Sequence, residues 1–203
     1  DPSEYALAPE PDSSRFEVCY TGSLYNPRRV PDVFLDGLRL LFQESPSLRE
    51  SITVRYMGRS AELMLRLASK YGVEDILCND GHVTREQAIR AQMQASVLLH
   101  LTDSSGVTGI ATGKIYEYFA AARPILAVPG DNSTADRLIT STNTGVVAST
   151  PADVAAIISQ MHDTWKQSGQ VPYSPKNEVV SSYNRVEQSR QLNTILDSIC
   201  LEG

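Results

Sequence analysis

Cysteine is scarce in this chain. Cys19, Cys78 and Cys200 are odd in number, far apart and in no metal-ligand spacing. They read as free thiols of a reducing cytoplasm, which argues against structural disulfides and against zinc. Also missing is any run near the roughly 18 consecutive apolar residues that a membrane-crossing helix needs. There is no basic run: 18 Lys and Arg stand against 24 Asp and Glu, a net charge of -6, which argues against a nucleic-acid surface and against an electrostatic membrane anchor. Any phosphate must therefore be met locally. GxGxxG, the Walker pattern, a Ser-His-Asp order and a metal cluster are all absent, so dehydrogenase, kinase and hydrolase readings lose support. The chain starts at Asp1 with neither an initiator Met nor a signal peptide, and the expectation is a fragment or excised domain.

What is present is a repeating grammar of strand, loop and helix. Residues 1–15, with Pro2, Pro9 and Pro11, have the composition of an interdomain linker or tail. Phe16 to Thr21 is then an apolar, β-branched strand, Gly22-Ser23 its loop, and Pro31 opens a helix built on Phe34, Leu38 and Leu41. Ile52 to Met57 is a second strand, with Ser60 as N-cap and Leu63, Leu67 and Tyr71 as the helix face. Ile76 to Cys78 is a short third strand, Gly81-His82-Val83 a loop, and Thr84 with Gln87 a capping box. Val97 to Leu101 is a continuous apolar strand broken only by His100, expected to be a hydrogen-bonded core residue. Ile125 to Val128 and Gly145 to Ala148 complete six strands, and Thr150-Pro151 starts a further helix. Strands alternating with helices predict an α/β, Rossmann-like, doubly wound and mostly parallel six-stranded sheet with helices on both faces, spanning 16–168. Residues 169–203 are predicted to be a crossover segment ending in a helix, Val179 to Ile199. Its apolar side, Leu192, Ile195, Leu196 and Ile199, would dock back on the domain or reach across to a missing one.

The most informative stretch runs from Thr112 to Val128. Thr112 and Gly113 start a helix, Ile115, Phe119 and Ala122 line one face, and Pro124 stops it before the strand. Glu117 lies off that face, one turn beyond a Gly113-Lys114 pair. A carboxylate there can accept a sugar's hydroxyls while the helix amides and Lys114 hold a phosphate. The alternative is that Glu117 only complements the helix dipole, worth roughly 0.3–1 kcal/mol, and that Lys114 is a solvated charge.

With strand order 3-2-1-4-5-6, ligands bind beyond the carboxyl ends of the strands, where the first and fourth diverge. The loops meeting there are Thr21 to Arg29 and Thr102 to Gly113. Gly22 lets backbone approach a phosphate, Arg28 or Arg29 supplies planar donors, and Arg59 is a further candidate. His82 could face a nucleobase, although an exposed loop histidine usually does nothing specific.

At these residues the chain resembles the C-terminal, nucleotide-sugar-binding half of GT-B glycosyltransferases, particularly family 4-like enzymes of cell-surface polysaccharide synthesis. The resemblance spans roughly Asp1 to Ile199, and its specific part is the Lys-x-x-Glu-Tyr, small-residue, Arg-Pro-Ile pattern of Gly113 to Leu126. It implies that Glu117 grips the ribose hydroxyls and that Thr112, Gly113 and Lys114 face the pyrophosphate. The first loop's Arg/Lys pair would neutralise the leaving diphosphate. Here Ser23 stands at the Arg position and Arg28 at the Lys position, and Gly109 stands where a second glutamate, eight residues before Glu117, is usual. The site set expected is Arg28 and Lys114 as catalytic groups, with Gly22, Ser23, Arg59, His82, Thr112, Gly113 and Glu117 binding the nucleotide sugar.

The implied reaction is glycosyl transfer, with a nucleoside-diphosphate sugar as donor and no metal or other cofactor. The acceptor and any catalytic base would come from a missing N-terminal acceptor-binding domain, so the isolated domain should turn over little. The expected location is cytoplasmic, with membrane-peripheral association only through the missing domain. A second reading is a stand-alone nucleotide-binding or regulatory module without catalysis. A sugar-nucleotide epimerase would need acidic and His residues facing the sugar, which the fourth loop does not offer.

Overall fold

The computed structural model describes residues 2–5, 14–103 and 112–201. Six strands form one sheet in the order β3-β2-β1-β4-β5-β6: β1 Phe16–Thr21, β2 Ile52–Met57, β3 Leu77–Gly81, β4 Val97–Leu101, β5 Ile125–Val128 and β6 Gly145–Val147. Every strand pair is parallel, as strand-helix alternation requires, and β1 lies between β2 and β4, so the chain reverses direction across the sheet between them.

Side chains alternate between the two faces and each face meets its own helices. Val18, Tyr20, Leu99, Leu101, Leu126 and Val128 point toward α1 (Asp32–Glu44), α2 (Ala61–Lys70) and α6 (Pro151–Ser168). Cys19, Leu98, Ile125 and Ala127 point toward α3 (Arg85–Gln94), α4 (Gly113–Ala121) and α5 (Thr134–Thr142). The central strands β4 and β5 are buried throughout, which is why they read as uninterrupted apolar runs. Capping boxes at Thr84/Gln87 and Thr150/Asp153 set where α3 and α6 begin.

Several boundaries differ from expectation for local reasons. β3 starts at Leu77 because Ile76 belongs to a short 3-10 turn, and the strand extends to Gly81. It is an edge strand with Asn79 and Asp80 exposed, so it has no apolar run to announce it. In α2 the deeply buried residues are Met64 and Ala68, with Leu63, Leu67 and Tyr71 packed at the margin. Ser60 precedes α2 but does not cap it: its Oγ accepts from the Leu24 amide at 3.1 Å and so ties the first loop to the second. α4 ends one residue early, since Ala122 adopts a left-handed conformation at φ 53° and is exposed, while Tyr118 and Ala121 join Ile115 and Phe119 in the core. The last helix is two, α7 Asn177–Ser182 and α8 Arg185–Leu201. Leu192, Ile195, Leu196 and Ile199 are 49–63% exposed, so that face of α8 is not docked on the domain. No helix among the described residues is long and apolar enough to cross a membrane. Most of the 1–15 segment and Gly109 lie outside the described residues.

Candidate nucleotide-sugar site

The site is built at the carboxyl ends of β1, β2 and β4, and α4 is its anchor. Ile115 and Tyr118 are fully buried, and the Tyr118 hydroxyl accepts from the Thr21 amide at 3.4 Å and donates to the Leu99 carbonyl at 3.1 Å. One phenol thus fixes α4 to the end of β1 and the middle of β4, the two strands that diverge at the crevice. Arg123 locks the other end of the helix, donating from Nε to the Met93 carbonyl at 2.7 Å. Lys114 and Glu117, three residues apart on a clamped helix, are held toward the same side.

The first loop is shaped by close approach. Gly22 has φ 137°, in the range where a side chain is strained, and a Cβ there would stand 2.4 Å from the Lys114 Nζ. A Cβ on Gly58, at the end of β2, would meet the Gly22 carbonyl oxygen at 2.0 Å. The Gly22 and Gly58 amides donate to the Met57 and Gly81 carbonyls, each at 2.7 Å, so three strand ends are laced edge to edge. Tyr20 supports this floor: its hydroxyl donates to the Ser23 carbonyl at 3.1 Å, and its ring stacks on Tyr56 with centroids 5.9 Å apart.

The Lys114 ammonium lies over the Tyr20 ring at 5.1 Å and the Tyr118 ring at 5.9 Å. Among the described residues it makes no hydrogen bond or ion pair. Burial pulls its pKa down to about 8, with Arg29 adding in the same direction and Glu117 opposing. A partly dehydrated cation with only ring faces for company is poised for an anion.

One cleft of about 350 Å³ brings together Gly22, Ser23, Arg59, His82, Lys114 and Glu117, along with Thr21, Gly58, Arg85 and Gln92. Six of the sequence-predicted residues are therefore neighbours. The other three are elsewhere. Arg28 is exposed and does not line the cleft. Gly113 faces a second cavity beside α7 and α8, and Thr112 faces a small chamber at the carboxyl end of β4. Thr112 occupies the N-cap position of α4 without capping it, and its buried Oγ1 has no partner among the described residues.

That chamber, of about 10 Å³, has room for a single water-sized group. Three buried polar atoms without a partner among the described residues belong to its walls: Arg29 Nε, His100 Nδ1 and Thr112 Oγ1. His100 is in the core as expected, 3% exposed, but it is not the hydrogen-bonded residue expected: its buried Nδ1 has no partner among the described residues. Burial pulls its pKa down to about 4, helped by Lys114 and Arg29, so it is neutral at pH 7. Arg29, the other basic residue of the first loop, pairs with Asp103 at 3.8 Å and stands over the Tyr25 ring. Of the adjacent arginines it is Arg29 that is turned inward, because Tyr25 and Arg29 exchange backbone hydrogen bonds of 3.0 and 2.7 Å that fold the loop back.

Sequence reasoning missed Arg85, at the start of α3. Its guanidinium donates to Glu117 Oε1 at 3.0 Å and to both carboxylate oxygens of Glu4 at 2.7 and 2.9 Å. Its place just after the Thr84 N-cap was the available signal, since a helix start at the end of β3 must face the crevice.

The fold is that of one half of the GT-B glycosyltransferases. The chain superposes on HepE from Anabaena, solved in complex with UDP and glucose, with a TM-score of 0.70 at 15% identity, over 98% of this chain and 55% of HepE. It matches the pneumococcal O-GlcNAc transferase GtfA, in complex with UDP and GlcNAc, with a TM-score of 0.63 at 14% identity, over 94% of this chain and 37% of GtfA. Sucrose-phosphate synthase from Thermosynechococcus elongatus gives 0.62 at 14% identity, over 94% of this chain and 47% of the synthase. The chain thus spans about half the length of these proteins or less. No family model and no curated protein matches its sequence.

Proposed function

We propose that this chain is the donor-binding half of a glycosyltransferase that moves a sugar from a nucleoside-diphosphate sugar to an acceptor hydroxyl, in synthesis of a cell-surface polysaccharide or other glycan. The observation that carries the reading is the convergence of Gly22, Ser23, Lys114 and Glu117 in one cleft at the divergence of β1 and β4. The UDP in the HepE and GtfA structures supports a uridine diphosphate donor.

In this reading Glu117 accepts hydrogen bonds from the ribose, and His82 and Arg59 border the base. Lys114, at the start of α4, faces the diphosphate. The acceptor hydroxyl attacks the anomeric carbon, the bond from that carbon to the diphosphate oxygen breaks, and the hydroxyl proton passes to a base outside these residues. Lys114 is strongest where negative charge grows on the leaving diphosphate, because it is already dehydrated and fixed over two rings. No metal or cofactor is called for. A separate domain supplies the acceptor site, so the isolated chain binds donor and turns over little. Replacing Glu117 by Ala weakens UDP binding by roughly 2–4 kcal/mol, the scale of lost hydrogen bonds to a charged group. Calorimetric titration tests this: unchanged affinity in a folded E117A variant removes Glu117 from the site.

A further inference from the structure

Arg85 and Glu117 stand together between two cavities. On one side is the cleft of about 350 Å³. On the other is a larger space of about 740 Å³ between α4, the α7–α8 pair and residues 2–5, with Tyr5, Tyr116, Phe119 and Tyr183 among its walls. Both residues line both spaces.

The geometry of the pair is asymmetric. Nε and Nη2 of Arg85 fork onto the two oxygens of Glu4, at 2.7 and 2.9 Å. A planar guanidinium gripped at two points has little freedom left, so its remaining nitrogen, Nη1, is aimed. It is aimed at Glu117 Oε1, 3.0 Å away. Glu117 Oε2 has no hydrogen-bond partner among the described residues. One oxygen is therefore held and the other is available to a ligand in the cleft.

Glu4 is itself placed by its neighbour. Tyr5 is buried, and its hydroxyl donates to Gln92 Oε1 at 3.4 Å, while Gln92 Nε2 donates to Thr21 Oγ1 at 2.8 Å. Residues 2–5 are thus moored to α3 and to the end of β1, the strand from which the Gly22 loop leaves. Exposed ion pairs contribute little to stability, and all three partners are partly exposed. Their effect is on orientation: a free glutamate must lose its rotamers when ligand binds, and a held one has already done so.

We infer that Arg85 is a positioning residue for Glu117, oriented in turn by Glu4, so that ribose recognition depends on the docking of residues 2–5. The inference rests on the nucleotide-binding reading above. It makes the segment leading into the domain part of the binding apparatus: undocking Glu4 frees Arg85, and Glu117 loses its fixed direction.

The experiment compares UDP with 2′-deoxy-UDP by titration calorimetry on the wild-type chain and on E117A, R85A, R85K and E4Q. The wild type should prefer UDP about tenfold, since the deoxy compound removes a hydroxyl that a charged acceptor would bind. R85A should lower that preference to about twofold or less, R85K should restore part of it, and E4Q should fall between wild type and R85A. Since Arg85 and Glu4 are surface residues, unchanged unfolding midpoints will show that these variants fold. Retention of the full preference by R85A overturns the inference while leaving the nucleotide reading intact, provided that E117A loses it. A wild type that binds UDP without preferring it also overturns the inference. A wild type that binds no nucleotide overturns both.

Discussion

If Lys114 meets the diphosphate, its lowered pKa makes donor affinity fall as pH rises through about 8, a loss that a freely solvated lysine would show only above 10. In the free chain the neutral fraction of Lys114 grows from about one in eleven at pH 7 to about ten in eleven at pH 9. Diphosphate binds the charged form, so at pH 9 the protein must first take up a proton. The affinity should therefore drop about tenfold over that range, about 1.4 kcal/mol, with proton uptake on binding near pH 8.5. Titration calorimetry in buffers of different ionisation enthalpy reads both quantities. K114R is the control: its guanidinium stays charged, so its profile should follow only the titration of the nucleotide itself. A wild-type profile as flat as that of K114R, or no proton uptake, would refute the assignment of Lys114 to the diphosphate.

His100 gives a stability test. Its pKa is near 4 in the folded chain and about 6.5 unfolded, so its cost is absent above pH 6.5 and grows as pH falls toward 4, reaching about 3 kcal/mol. Urea unfolding at pH 7 and pH 4.5 should show this drop, and H100Q should lessen it. His162, also buried with its pKa pushed down by burial, titrates in the same direction. Gly58→Ala should destabilise by about 1–3 kcal/mol, because the added Cβ meets the Gly22 carbonyl and the Tyr56 hydroxyl; a variant as stable as wild type would show that the first loop is not packed as described.

The sheet was legible because its signals are local. β1, β2, β4 and β5 lie in the interior: β4 and β5 announce themselves as apolar runs, with β4 carrying its fully buried register through His100, and β1 and β2 as short stretches rich in apolar and β-branched residues. β3 was blurred because an edge strand satisfies only one side and can carry Asn79 and Asp80. The candidate site was legible as far as chain order and topology could carry it: Gly22 and Lys114 are far apart in sequence, yet a Cβ on one would strike the other. What could not be read were choices settled by packing. Nothing in Arg28-Arg29 says which arginine turns inward, and that depends on a bridge from Tyr25. For Arg85 the sequence offers its place after the Thr84 N-cap but not its partners, since Glu4 and Glu117 lie 81 and 32 residues away.

The central claim is that the crevice between β1 and β4 binds a nucleoside diphosphate through α4. Thermal unfolding of the wild-type chain with UDP, GDP and ADP, repeated on E117A, tests it most directly. A ligand at 100 times its dissociation constant should stabilise the wild type by about 2.7 kcal/mol, and E117A should lose most of that. No shift with any of the three at millimolar concentration, or equal shifts in wild type and E117A, would contradict it.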